Sequence, residues 1–169
     1  AAVVVFGVRV WFCAQADAAG ARGMSHHADL RYDEALTEYR RAEELDPSNW
    51  HWPYYRALIH LDRGEAVEGA GALRHVASMQ PGLGIVWWRL GEAEFKQARY
   101  DEADAAFSRA EADATVAVHA RQGRDRVGYA RGDTASQQTY TPPRDPMVDA
   151  LARISRSSMF LLKLAASPA

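Results

Sequence analysis

Small and bulky apolar positions recur along the chain with a period of 34 residues. In units 16–49, 50–83 and 84–117, positions 8 and 20 are small, position 24 is bulky, and position 27 is small or β-branched. The members of these columns are Gly23, Ala57 and Gly91, then Ala35, Gly69 and Ala103, then Tyr39, Leu73 and Phe107, and finally Ala42, Val76 and Ala110. Positions 20, 24 and 27 share one helix face, so each unit is predicted to be a pair of closely packed helices. One pair cannot bury its apolar face alone, and we expect the units to stack.

The third unit carries a fuller motif, with six of its residues at the spacing of a known repeat. They are Trp87, Leu90, Gly91, Ala103, Phe107 and Ala110. This spacing resembles the tetratricopeptide repeat (TPR) family. The second unit departs from it with Pro53 at position 4 and Arg56 at position 7, and the first unit departs more in its first helix. The resemblance covers 16–132 and implies an all-α, right-handed TPR-type solenoid of antiparallel helix pairs, with about three repeats and a half-repeat.

Three further segments complete the predicted organisation. Residues 1–15 form an apolar segment that we expect to be helical, and 118–132 are predicted to be the first helix of a fourth unit. A polar, proline-rich connector follows at 133–146, and 147–169 are predicted to form an extra amphipathic C-terminal helix. The apolar stripe of that helix, its candidate assembly surface, comprises Met147, Leu151, Ile154, Phe160, Leu161 and Leu162.

The N-terminal run AAVVVFGVRVWFCA is too short to span a bilayer and is interrupted by Arg9. We therefore expect it to be a buried helix or strand. Cys13 is the single cysteine, which excludes an intrachain disulfide, and it is expected to be a small core residue rather than a reactive or intermolecular thiol. The chain begins without Met, so we expect a processed mature protein or a fragment.

Composition and motifs argue against catalysis, cofactors and nucleic acid. The net charge is −2, which gives no general attraction to nucleic acid or an anionic membrane. No G-x-S-x-G, H-E-x-x-H or phosphate-binding glycine loop occurs. The histidines at equivalent repeat positions would lie too far apart to share a metal. Arg121, Arg124 and Arg131 share one helix face, for which pairing with acidic neighbours or solvation is favoured over phosphate binding.

The first helices of the repeats are predicted to line a concave binding groove. The TPR resemblance assigns this surface to positions 2, 5, 9 and 12 of each unit. In the second and third units these positions hold His51, Tyr54, Leu58, Leu61, Ile85, Trp88, Glu92 and Phe95. The Lys and Asn residues of the family's peptide-terminus clamp are missing from this set, so capture of an acidic C-terminal tail is not expected. Ordinary interhelix core is the alternative for part of this surface; otherwise we expect it to hold an amphipathic helix.

The sequence favours protein–protein interaction, and within that class it favours self-assembly. Apolar ends, an apolar groove and a separate amphipathic helix predict a homopolymer, such as a filament or tube, because head-to-tail contacts propagate. The alternative is a monomeric adaptor that binds a helical peptide of another protein. A third hypothesis is a fragment of a larger secreted TPR protein. Similarity to longer bacterial multi-TPR proteins favours an extracellular or periplasmic location.

Overall fold

The computed structural model describes residues 2–133, with side chains from residue 10 onward. Within that range the chain forms seven α-helices and no strand. They are α1 (Ala2–Ala28), α2 (Tyr32–Leu45), α3 (His51–Asp62), α4 (Ala66–Met79), α5 (Gly84–Lys96), α6 (Tyr100–Ala110) and α7 (Ala117–Arg131). The predicted C-terminal helix 147–169, with its apolar stripe, and the predicted connector after Asp133 lie outside the described residues.

The helices pack in chain order as a stack of pairs. α1 packs on α2, α3 on α4 and α5 on α6; α2 also contacts α3, and α4 contacts α5. The last helix, α7, lies against both α6 and α5. We call α1, α3, α5 and α7 the A helices, and α2, α4 and α6 the B helices. This all-α solenoid is the predicted fold class.

Glycines of the A helices let bulky side chains of the B helices lie between the helices. Tyr39, Leu73 and Phe107 are completely buried. A Cβ atom added to Gly91 would lie 2.6 Å from Cδ1 and Cε1 of Phe107, and one added to Gly23 would lie 2.7 Å from ring atoms of Tyr39. A carbon atom does not fit at such distances. The small residues of position 8 therefore set the spacing between the two helices of a pair.

Each turn between an A helix and the next segment passes through a left-handed residue at position 15. The φ angles are 59° at Leu30, 78° at Gly64, 57° at Ala98 and 82° at Gly132. Glycine adopts this conformation without a steric penalty, whereas Leu30 and Ala98 are strained there. The four turns thus share one geometry although only two of them have the residue that suits it.

Polar pairs join successive repeats on the outer side of the turns. Arg63 contacts Asp33 at 2.7 Å, and Arg131 contacts Asp101. The second pair lies 68 positions after the first in the sequence. At the intervening turn, Gln97 donates to the carbonyl of Ala66 at 3.1 Å. These contacts join the end of an A helix to the start of the B helix of the preceding unit, and they account for one arginine of the basic set of α7.

The N-terminal segment lies in α1, and its side chains from Val10 to Gln15 are exposed, which corrects the expectation of a buried segment for that part. α1 has 27 residues and is about 40 Å long, whereas α2 has 14 residues and is about 21 Å long. The partner helix ends before it can cover the first half of α1. Trp11 is 57% exposed and Cys13 is also exposed, so Cys13 is not the small core residue that the apolar run suggested.

Candidate partner-binding face

The eight predicted groove residues lie on two neighbouring A helices. His51, Tyr54, Leu58 and Leu61 are on α3, and Ile85, Trp88, Glu92 and Phe95 are on α5. His51 is exposed, and the other seven are half-buried. We call this surface, with the corresponding side of α7, the A-helix face. It is a partly covered surface rather than a wide-open apolar groove.

Part of the A-helix face is interhelix packing, as the structural alternative anticipated. Trp88 and Phe95 pack against the buried cluster of Ala103, Phe107 and Val127. The Trp88 ring also lies 5.4 Å from the ring of His119 on α7, measured between centroids. These two aromatic side chains therefore stabilise the stack and expose only one side each.

A salt bridge closes the α5–α7 end of the face. Arg126 donates from Nη1 to Glu92 Oε1 at 2.8 Å and from Nη2 to Oε2 at 3.3 Å. The Arg126 guanidinium also lies 4.5 Å from the centre of the Phe95 ring. Glu92 and Arg126 occupy position 9 of successive units. Because this pair neutralises the carboxylate, Glu92 gives the face no net negative charge.

Arg89 occupies the boundary between α3 and α5 on this face. Its guanidinium carbon lies 4.5 Å from the centre of the Trp88 ring, and the side chain is also a neighbour of Tyr54. Burial raises the pKa of Tyr54 above its ordinary value, while the neighbouring Arg89 acts in the opposite direction. Nε of Arg89 is buried without a hydrogen-bond partner, and no carboxylate in the described part of the chain forms an ion pair with this residue. Arg89 is thus a half-buried cation whose charge is unpaired within residues 2–133.

Arg89, His119 and Arg126 lie on this face but were not among the groove residues predicted from the sequence. His119 and Arg126 stand at positions 2 and 9 of the half-unit, so the same column rule would have found them had it been extended to α7. Arg89 stands at position 6, beside the column of Trp88, and its type alone carries no signal in a chain rich in arginine. Its importance depends on a burial that only the packed structure shows.

The rim where α7 meets α6 is charged. Arg124 donates to Asp104 at 2.8 Å and to Glu111 at 3.3 Å, and Arg121 and Asp125 are exposed. Arg124 and Arg131 pair with acidic residues of α6 or its end, and Arg121 is solvated, which are the arrangements that the sequence favoured over phosphate binding. This end of the stack therefore combines charged side chains with the exposed apolar side chain of Val118.

The described residues hold one buried carboxylate and no candidate metal site. Among residues 2–133 no group of three or more His, Cys, Asp and Glu side chains could hold a metal ion. Glu94 is only 2% exposed and pairs with Arg74 and, at 3.6 Å, with Arg99. These contacts join α5 to α4 and to the turn before α6, which is a structural role. No described helix combines the length and apolar character needed to cross a membrane.

Solved TPR domains share this fold. The first TPR domain of Spaghetti (RPAP3), bound to the HSP90 peptide SRMEEVD, matches with a TM-score of 0.66 and 18% identity over 71% of this chain and 95% of that one. The MamA protein matches with a TM-score of 0.69 and 20% identity over 72% and 67% of the two chains. The TPR2B domain of yeast Sti1, in a complex with pHsp70, matches with a TM-score of 0.63 and 15% identity over 69% and 98%.

No family model and no curated protein matches the sequence. At the identities of the solved TPR domains, the likeness establishes the fold. The chain is an all-α TPR-type solenoid.

Proposed function

We propose that this protein is a non-enzymatic interaction scaffold that binds a segment of a partner protein on its A-helix face. The observation that carries the proposal is Arg89, a half-buried arginine without an ion-pair partner in residues 2–133, held between Trp88 and Tyr54. A half-buried arginine without a carboxylate partner of its own can form a charged hydrogen bond with a carboxylate that a ligand supplies. The partner segment should therefore place a carboxylate on Arg89.

The neighbouring side chains define the rest of the partner segment. Trp88 and Tyr54 offer partly exposed aromatic surface beside the cation, and Leu58 adds apolar surface one turn along α3. An amphipathic segment with an acidic group next to apolar side chains matches this surface. The RPAP3 domain, bound to the peptide SRMEEVD, and the Sti1 domain, in complex with pHsp70, are precedents for partner binding by this fold.

A peptide selection tests this proposal. Random 12-residue peptides displayed on phage would be selected against the immobilised full chain, and the dissociation constants of enriched peptides would be measured. We expect enrichment of an acidic residue near apolar residues. Arg89→Ala should weaken binding about 10- to 100-fold, because a charged hydrogen bond contributes about 1.5–3 kcal/mol.

Arg121→Ala is the matched control, since Arg121 is an exposed arginine on α7 that is not at a groove position. It should change the dissociation constant less than about twofold, which corresponds to less than about 0.4 kcal/mol. Enrichment without acidic residues, or equal losses in the two variants, would contradict an ionic anchor at Arg89.

Self-assembly into a homopolymer is the second candidate. Exposed apolar side chains at the two ends of the stack favour it, namely Trp11 and Phe12 on α1 and Val118 on α7. The exposed charges of Arg121 and Asp125 on α7 oppose stacking through that end. Light scattering of the full chain across a hundredfold dilution, beside negative-stain electron microscopy, separates the two functions. Filaments or a mass that rises with concentration support the polymer, and a constant mass of one chain supports the scaffold.

A further inference from the structure

The described side chains at the start of α1 are exposed although they belong to the most apolar stretch of the described sequence. Val10 is 53% exposed, Trp11 57% and Phe12 40%, and from Val10 onward the first buried side chain is Ala16. The sequence from 2 to 14 contains one charged residue, Arg9, and no acidic residue. From Val10 to Gln15, therefore, none of these side chains is buried against the described part of the stack.

The apolar residues of this segment are distributed around the whole helix. Successive residues of a helix are about 100° apart, so an unbroken apolar run from 2 to 8, followed by Val10, Trp11 and Phe12, leaves no polar side. A helix that docks on one protein surface needs an apolar stripe on one side only, whereas a helix apolar all round suits a medium that surrounds it. A second copy of the chain would cover one side and leave the others in water.

We propose that the apolar segment at the start of α1 enters the hydrocarbon of a lipid bilayer and so attaches the solenoid to a membrane. From 2 to 14 the helix is about 20 Å long, compared with a hydrocarbon core about 30 Å thick, or about 15 Å per leaflet. The segment is therefore long enough to reach across one leaflet.

The order of residue types along the segment matches the depth profile of a bilayer. The wholly apolar run comes first, then Arg9 and Trp11, and then the polar Gln15 and Asp17. Tryptophan is enriched at the membrane–water interface, and arginine can extend its charged end to the headgroups. Because the first acidic residue is Asp17, no carboxylate in the inserted part opposes contact with anionic lipids.

Vesicle flotation with the full chain tests the proposal. Vesicles of phosphatidylcholine with about a quarter phosphatidylglycerol would be mixed with the protein and floated on a sucrose gradient. We expect the protein to float, and the double variant Val10→Asp, Trp11→Asp to bind at least about tenfold more weakly, since aspartate is strongly disfavoured in hydrocarbon. Far-UV circular dichroism would verify that the variant keeps its helices.

A matched control has the same two charges at apolar positions that are equally exposed elsewhere. Val67 is 61% exposed on α4 and Val118 is 60% exposed on α7. Val67→Asp, Val118→Asp should bind vesicles within about twofold of the parent chain, because neither site contacts lipid in the proposed arrangement. A fluorophore on Cys13, the single cysteine, should report transfer to an apolar medium when vesicles are added.

Three outcomes would overturn the proposal. The first is a parent chain that stays at the bottom of the gradient, and the second is an α1 variant that floats as well as the parent. The third is a parent chain that does not float but forms a concentration-dependent oligomer that the α1 charges abolish, which makes a second copy the occupant. The test is independent of the A-helix face. Arg89→Ala should float like the parent chain, and the α1 variant should retain the selected peptide.

Discussion

Replacing Gly91 by alanine tests the close helix packing on which the fold rests. The added Cβ would lie 2.6 Å from two ring carbons of Phe107, whose side chain is completely buried and cannot rotate into solvent. Overpacking of this kind typically costs about 1–3 kcal/mol. It is partly offset because alanine is better than glycine inside a helix by about 1 kcal/mol.

Gly71 provides the matched control, because it also lies inside a helix but has no atom within 4 Å of an added Cβ. Gly71→Ala should raise the free energy of unfolding by about 1 kcal/mol through the helix term alone. The same term acts in Gly91→Ala, so the difference between the two variants isolates the contact with Phe107. We expect Gly91→Ala to be less stable than Gly71→Ala by about 1–3 kcal/mol.

Urea denaturation of the two full-length variants, followed by far-UV circular dichroism, measures this difference. A further variant that combines Gly91→Ala with Phe107→Leu should recover part of the loss, because a smaller side chain makes room for the new methyl group. Equal stability of the two single variants would refute the argument that the position 8 glycines set the spacing between helices.

Three other predictions follow from the turns and ion pairs. Leu30→Gly and Ala98→Gly should each stabilise the chain by about 0.5–1 kcal/mol in thermal or urea unfolding, because they relieve left-handed backbone strain; no gain would contradict the turn geometry. Thr115 and the Gly84 amide hold the pKa of Asp113 below its ordinary value of 3.8. That stabilisation is fully present above the pKa of Asp113 in the unfolded chain and is lost as the pH falls through its pKa in the folded chain. Asp113→Asn should therefore be less stable than the parent at pH 7, and the two free energies of unfolding should converge as the pH is lowered. A double-mutant cycle on Arg126 and Glu92 should give a coupling of roughly 1 kcal/mol that weakens in high salt, and a coupling near zero would make the pair incidental.

The repeat architecture was predictable because its determinants are local and periodic. A small residue at position 8 and a bulky one at position 24 must meet in every unit, so the packing of Gly91 against Phe107 appears as a column in the sequence. The turn at position 15 was predictable from Gly64 and Gly132. It was less predictable at Leu30, where other contacts of the stack impose a conformation that the residue itself disfavours.

The binding face and the N-terminus could not be predicted in the same way. A column rule identifies which helix side faces inward, but it does not say how much of Trp88 or Phe95 a neighbouring helix covers. Arg89 is significant only because packing buries its Nε without a partner. Cys13 was expected in the core because runs of apolar residues are usually buried in a core. In the structure α2 is too short to provide that core, which is a property of the partner helix and not of the run itself.

The polar contacts between repeats follow a longer period than the fold. Arg56 pairs with Glu43 between the first and second units, and Arg124 pairs with Glu111 between the third and fourth. Between the second and third units the position of these arginines is taken by Leu90, which is 95% buried in one apolar cluster with residues of α3, α4 and α5. At this position the interface between the second and third units is thus apolar, although the Arg74–Glu94 pair and the hydrogen bond from Gln97 to Ala66 also join these units.

This arrangement decides how the candidate site responds to salt. Tyr54 belongs to the second unit and Arg89 to the third, so the two residues meet across the interface that contains Leu90. Burial of apolar surface is not screened by ions, and the Arg74–Glu94 pair across this interface is screened little because Glu94 is only 2% exposed. The arginine pairs at the other two interfaces lack such a buried carboxylate and are screened more. Salt should therefore leave the relative position of Tyr54 and Arg89 unchanged while it weakens the attraction between Arg89 and a partner carboxylate. A loss of partner binding in high salt accordingly reports the charge of Arg89 directly, and not a deformation of the face that holds it.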